Sequence, residues 1–159
     1  SIQDRIRAHL AACNAAYTVL THSYANTSAS VAEARGTPLS WGGKSLVFKL
    51  GKRNEFAVFA VNANRSVNSK EIRRFLGLTR LRFATSDELL ELTGLTPGCV
   101  PPFGQPIFDL PLYIDAHIPQ QEDIAFSIAS HTVSVTMKTK DYLAAAQPVA
   151  IFDYSMEGR

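Results

Sequence analysis

The sequence predicts an α+β domain: a mixed, mostly antiparallel sheet, strongly curled or barrel-like, with helices packed around it. Three observations point there. Strand-like segments outnumber helical ones. Several strand pairs are joined by short turns, whereas a doubly wound parallel sheet needs a crossover helix between most successive strands. About seven or eight short strands must also hide their edges, which favours curling or closure.

The elements follow in order. Ile2, Ile6, Leu10 and Cys13 recur at helical spacing and predict a helix over 2–14. Tyr17 to His22 is rich in β-formers and predicts a strand. Thr27 and Ser28 can cap a short helix through Arg35, which Gly36 ends. Thr37 to Gly43, with Pro38 and two glycines, is a loop. Leu46, Phe48 and Leu50 alternate with Ser45, Val47 and Lys49, Gly51 to Asn54 is a turn, and Phe56 to Val61 is a second apolar run; together they predict a β-hairpin.

Asn68-Ser69-Lys70-Glu71 has capping-box spacing and opens a helix that stops at Gly77. Arg80 to Ala84 fits a strand. Thr85-Ser86-Asp87-Glu88 is a second capping box, and its helix ends at Gly94. Leu95 to Pro111, with five prolines and two glycines, is turn-rich. Leu112 to Asp115, Ile124 to Ile128 and Thr132 to Met137 read as strands, Asp141 to Ala146 as a short helix and Val149 to Phe152 as a last strand. With no repeat or linker, residues 1–159 form one domain.

Composition narrows the function classes. The 159 residues are 46% apolar and 19% charged, which excludes collagen-like, low-complexity and disordered chains. No apolar run approaches the ~20 residues of a membrane span. Asp4, Arg5, Arg7 and His9 interrupt what would be the core of a secretory signal. Cys13 and Cys99 cannot make a disulfide framework or a four-ligand zinc site, so a reducing cytoplasm is expected, with no metal and no cofactor. Net charge is +2, unevenly spread. Six basic residues stand between Arg65 and Arg82 against Glu71 alone, while Thr85 to Met137 holds seven acidic residues and no Lys or Arg. That pattern reads either as two solvated faces or as a local footprint for an anionic ligand.

Gly43-Lys44-Ser45 imitates the end of a phosphate-binding loop. The first glycine of that motif would fall at Pro38, and a strand follows Ser45 where a helix N-terminus is required. His117 and His131 lack metal-ligand spacing, and no nucleophile elbow is present.

Three stretches in register resemble the YbaK/prolyl-tRNA-synthetase-associated domain family. THSYANTSASVAEARG resembles its strand-end His followed by an Ala-rich helix. GGKSLVFKL is similar to its Lys-[Ser/Thr]-Leu strand start, with Lys44 in the functional place. ELTGLTPGCVPPFG is similar to its helix and Gly-x-x-x-Pro-Phe/Leu-Gly loop. LYIDAHI and FSIASHTVSVTM resemble the strand and closing hairpin that follow.

The resemblance implies that family's fold and a free-standing trans-editing hydrolase. It would deacylate mischarged tRNA, of prolyl type and carrying a small wrong amino acid, as the second sieve of double-sieve editing. It implies catalytic roles for Lys44, Gly98 and His131. Lys44 is a charge-assisted donor after two glycines that let the backbone approach a ligand, and the loop opened by Gly98 aims N–H groups at a carbonyl. His22, Ser45, Cys99, Val100, Pro101, Pro102 and Ser130 become substrate-binding candidates, with Ser130 orienting His131. Trp41 either stacks on a terminal adenine or belongs to the core.

Lys70, Arg73 and Arg74 share one helix face by their spacing, leaving Ile72, Phe75 and Leu76 for the core. That face, extended by Arg80 and Arg82, would meet tRNA, and a synthetase is a further expected partner. The alternative is a non-catalytic module of the same fold that binds aminoacyl-tRNA or a synthetase. Lys44-Ser45-Leu46 and Ser130-His131 differ from the Lys-Asn-Leu and His-Pro elements of the alanine-clearing branch. The arginine-flanked signature of the cysteine-clearing branch is also missing, so the amino acid cleared stays open.

Overall fold

The computed structural model describes residues 1–158. Five α-helices are present: α1 (Ile2–Ala12), α2 (Ser28–Arg35), α3 (Ser69–Leu76), α4 (Ser86–Thr93) and α5 (Thr139–Ala146). The strands are β1 (Tyr17–Thr21), β2 (Gly43–Leu50), β3 (Phe56–Asn62), β4 (Arg65–Val67), β5 (Leu81–Phe83), β6 (Leu112–Asp115), β7 (Asp123–Ser127), β8 (Val133–Lys138), β9 (Ala150–Phe152) and β10 (Ser155–Glu157). Single 3-10 turns cover Leu39–Trp41 and Ile118–Gln120.

The expected mixed α+β architecture is present, but strand pairing yields three sheets, and among the described residues none closes on itself. The largest has the order β5-β2-β3-β6-β9; the others are β1-β8-β7 and β10-β4. Pairing is antiparallel except for β3 with β6 and β6 with β9. A lone bridge between Gly42 and Ala125 is the backbone link between the first two sheets.

The central strand β3 explains the layering. Every one of its residues is buried, and their side chains alternate between two cores. Phe56, Val58 and Ala60 join the main core with Ile6, Leu10, Phe103, Phe126 and Tyr142. Ala57, Phe59 and Val61 join a smaller one with Phe48, Ile72, Tyr113 and Tyr154.

Both sides are pinned by buried tyrosines. The Tyr142 hydroxyl donates to the Pro102 carbonyl at 2.5 Å, anchoring the proline-rich loop. The Tyr154 hydroxyl donates to the carbonyls of Ala60 and Tyr113. Asp115, fully buried, accepts from the backbone N–H groups of Tyr154 and His117, from the His117 ring and from the Ser155 hydroxyl. These bonds strap β10 to the end of β6.

The capping expectations divide. Thr85 and Glu88 form a reciprocal capping box on α4, and Thr27 forms one with Ser30 on α2. Asn68 makes no side-chain cap bond on α3; its backbone N–H donates to Tyr154 instead. Phe75 does not enter the core as expected: it is 52% exposed and stacks on Phe152 at 3.8 Å, while Ile72 is fully buried.

Candidate active site

A cleft of about 190 Å³ opens where α2, the start of β2 and the Gly98 loop converge. Lys44, Ser45, Gly98 and Val100, expected at a site from the sequence, all line it, together with Arg35, Ala63 and Ser127 among others. The two glycines before Lys44 also line the cleft, and packing requires them as well. A Cβ on Gly42 would lie 2.7 Å from Ala63 Cβ, and one on Gly43 would lie 2.9 Å from Ile124 Cδ1. They let β2 press against neighbouring chain segments at the cleft floor.

Lys44 is half-buried, and burial pushes its ammonium pKa down. It forms no hydrogen bond or ion pair among the described residues. Ser45 follows with a buried hydroxyl that has no hydrogen-bond partner among the described residues. Strand alternation places it on the face of β2 shared with Gly43 and Val47, against the main core.

Gly98 has φ +86°, a conformation that L side chains rarely adopt, and a Cβ there would stand 3.3 Å from His131 Cε1. The His131 ring is therefore beside the loop, though not among the residues that line the cleft, and Tyr24 packs against it at 4.9 Å. The Ala129 N–H, in a residue that also has positive φ, donates to the Cys99 carbonyl at 2.9 Å. This bond latches the 98–103 loop to the turn between β7 and β8.

Other candidates lie outside the cleft lining. Cys99, Pro101 and Pro102 are buried beneath the loop. The Ser130 hydroxyl bonds Thr132, so it does not orient His131. His22 sits one step behind the cleft: its Nε2 is 2.9 Å from Ser134 Oγ and its Nδ1 is 2.9 Å from the Ser23 carbonyl. Because Nδ1 must donate to that carbonyl, Nε2 of the neutral ring accepts from the serine. Trp41 is half-buried in its 3-10 turn.

On α3, Lys70 is exposed, Arg73 Nη1 donates to Ser69 Oγ at 3.4 Å, and Arg74 lies 3.4 Å from Glu71. Arg82 does not extend a free cationic face. It holds Glu88 through two bonds of 2.7 and 3.1 Å, and with the Thr85 N–H keeps that carboxyl pKa at about 2.

Sequence reasoning missed Arg35 and Tyr24. Arg35 reads as an ordinary last-turn cation of α2, and only the return of β7 and β8 shows what surrounds it. Its Nε donates to Ser134 Oγ at 2.8 Å, Nη2 to Ser127 Oγ at 3.1 Å and Nη1 to the Ala125 carbonyl at 3.5 Å. Burial lowers its pKa to about 10.

The possible metal-ligand group among the described residues is Asp115, His117 and Asp153. Both Asp115 oxygens already accept hydrogen bonds, so this cluster serves as the strap on β10. No helix among the described residues is long and apolar enough to cross a membrane.

Lys44, Arg35 and the Gly98 loop thus edge one cationic cleft on a mixed α+β fold. The family model for the aminoacyl-tRNA editing domain matches residues 22–145, and the chain belongs to that family. The multifunctional Ser/Thr-tRNA deacylase ProXp-y of Escherichia coli (strain K12) is 33% identical over 151 residues, covering 91% of this chain and 88% of that protein. The proline–tRNA ligase of Trichlorobacter lovleyi is 36% identical over 78 residues, covering 49% of this chain and 13% of the ligase. A solved structure described as a candidate trans-editing enzyme for prolyl-tRNA synthetase superposes with TM-score 0.80 at 25% identity, covering 98% of this chain and 97% of that one.

Proposed function

We propose that this protein is a trans-editing hydrolase that deacylates mischarged tRNA, acting on a prolyl-type tRNA that carries a small wrong amino acid. The observation that carries this reading is the convergence of Lys44, Ser45 and Gly98 on one small cleft in a chain of the editing family. A volume of about 190 Å³ suits a small aminoacyl group and supports a sieve by size.

Water attacks the ester carbonyl carbon, a tetrahedral oxyanion forms, and the bond to the ribose oxygen breaks. Of the water's two protons one ends on the ribose oxygen and the other passes to solvent, and the amino acid leaves as its carboxylate. Lys44 supplies a charge-assisted donor to the 3′ end. The N–H groups of Gly98 and Val100, which make no hydrogen bond within the described chain, are available to the carbonyl as it becomes an oxyanion. His131 beside Gly98 positions the water.

His22 supports the wall through Ser134, and Cys99, Pro101 and Pro102 support the loop from beneath. Lys70, Arg73 and Arg74 meet the acceptor-stem backbone, and a synthetase is the natural source of the substrate. The cytoplasm, where charged tRNA is used, is the matching location.

The test is a deacylation panel of tRNAs charged with Ala, Ser, Thr, Cys and a bulky residue such as Phe. Acceleration over the no-enzyme control on at least one small residue is expected. No acceleration on any would reject the reading in favour of a binding module, and equal or faster clearance of Phe would reject the sieve for small residues.

A further inference from the structure

We propose that Arg35 is a second cation of the cleft, held there to bind an oxyanion of the ligand: the terminal phosphodiester of the nucleic acid or the reacting ester group. The proposal rests on the editing reading for its choice of ligand.

A cation in the last turn of a helix ordinarily points to solvent and complements the helix dipole. Arg35 instead lines the cleft and is half-buried. Three of its five N–H groups donate to Ser134, Ser127 and the Ala125 carbonyl, leaving two without an acceptor among the described residues. All three acceptors are neutral, and no carboxylate lies within ion-pair distance of Arg35 among the described residues. Lys44 lines the same cleft, equally unpaired.

Two uncompensated cations in one cleft repel each other, and their partial burial costs hydration. An anion between them relieves both costs. The guanidinium is also preset. Ser134 Oγ, which accepts from Arg35 Nε, donates in turn to His22 Nε2, so its orientation is fixed from two sides. Two free N–H groups on a guanidinium held in place by its other bonds suit an oxyanion with little ordering cost on binding.

The experiment compares wild type, Arg35→Gln and Arg35→Lys on three readouts. These are deacylation of an aminoacyl-tRNA, deacylation of the matching aminoacyl-adenosine, which has no phosphate, and binding of 5′-AMP against adenosine by calorimetry. If the phosphodiester is the partner, Arg35→Gln raises KM for the tRNA at least tenfold and abolishes any preference for 5′-AMP over adenosine. Its turnover of aminoacyl-adenosine then stays as in wild type. If the reacting ester is the partner, kcat falls at least tenfold on both substrates and nucleotide binding is unchanged. In either case Arg35→Lys recovers part of the loss.

Wild-type kinetics and nucleotide binding in a folded Arg35→Gln protein would overturn the proposal. So would equal losses in Arg35→Gln and Arg35→Lys that follow the folded fraction, because Arg35 would then be a structural clamp. Should Arg35→Gln fail to fold, Arg35→Lys carries the test alone, with at least a threefold change in KM or kcat expected and unchanged kinetics refuting. If wild type deacylates no tRNA, the functional reading falls and the 5′-AMP comparison still decides Arg35. Loss of a wild-type preference for 5′-AMP in the variant supports it, and absence of that preference in wild type overturns it.

Discussion

Removing the Lys44 ammonium should separate activity from stability. Nothing in the described chain pairs with it, and burial lowers its pKa below the 10.5 of a free lysine. The sign follows from linkage. A lysine whose folded pKa lies below its unfolded value disfavours the folded state at every pH below the folded pKa. That loss is regained as pH rises through the window up to 10.5. At pH 7 the fold therefore bears the cost of this charge. Lys44→Met keeps most of the apolar stem and should melt at or above wild type. Lys44→Ala also loses stem packing and should stay within about 1 kcal/mol of it.

Catalysis should respond oppositely. A charge-assisted hydrogen bond to substrate contributes about 1.5–3 kcal/mol, or roughly 10–150-fold at about 1.4 kcal/mol per decade. Single-turnover deacylation of charged tRNA, with thermal melts on the same preparations, reads both quantities. Wild-type rates in either variant, or rates that fall in step with the folded fraction, would refute this account of Lys44.

Three further outcomes are expected. Gly98→Ala must hold positive φ and push its Cβ toward His131, so it should cost about 1 kcal/mol in urea unfolding and reduce deacylation more than melting predicts. Arg73→Ala with Arg74→Ala should lower the slope of log tRNA affinity against log salt by about 1–2, while turnover of an aminoacyl-adenosine stays constant; an unchanged slope would remove α3 from the tRNA surface. Glu88 has a folded pKa near 2 against 4.5 unfolded, so its contribution is present above pH 4.5 and lost as pH falls toward 2. Denaturation of wild type and Glu88→Gln should therefore differ at pH 7 and converge at low pH.

What could be read from the sequence follows from the range of the forces involved. The β2–β3 hairpin and the Thr85 capping box are local, and alternation or three-residue spacing displays them directly. Asn68 shows the limit of such spacing: the pattern is present, but its side chain makes no cap bond, and the Tyr154 carbonyl, far along the chain, accepts the Asn68 N–H that Glu71 would have held. β4 and β10 went unread because each has three residues and exists only through pairing with the other.

The cleft divides the same way. Lys44, Ser45 and Gly98 sit in motifs whose neighbours carry the resemblance. Arg35 carries no local mark, since its meaning comes from Ser127 and Ser134 on the distant hairpin. Phe75 was misplaced because the helical period fixes which residues share a face and not how far round the core extends. The expected curled sheet rested on the need to hide strand edges by closure, whereas this chain divides its strands among three open sheets, each with two edge strands.

The pairing of β1 with β8 carries a temporal consequence. Tyr17 lies opposite Met137 and Thr21 opposite Val133, so this sheet joins the beginning of the chain to a segment made late. Contacts of such separation slow folding, because loop closure must precede any gain from pairing. During synthesis, Lys44 and its hairpin emerge early, yet the acceptors that orient Arg35 on β7 and β8 do not exist until that last hairpin has been made. A nascent chain that has made Lys44 and the Gly98 loop thus still lacks Ser127 from the cleft lining and the acceptors that hold Arg35.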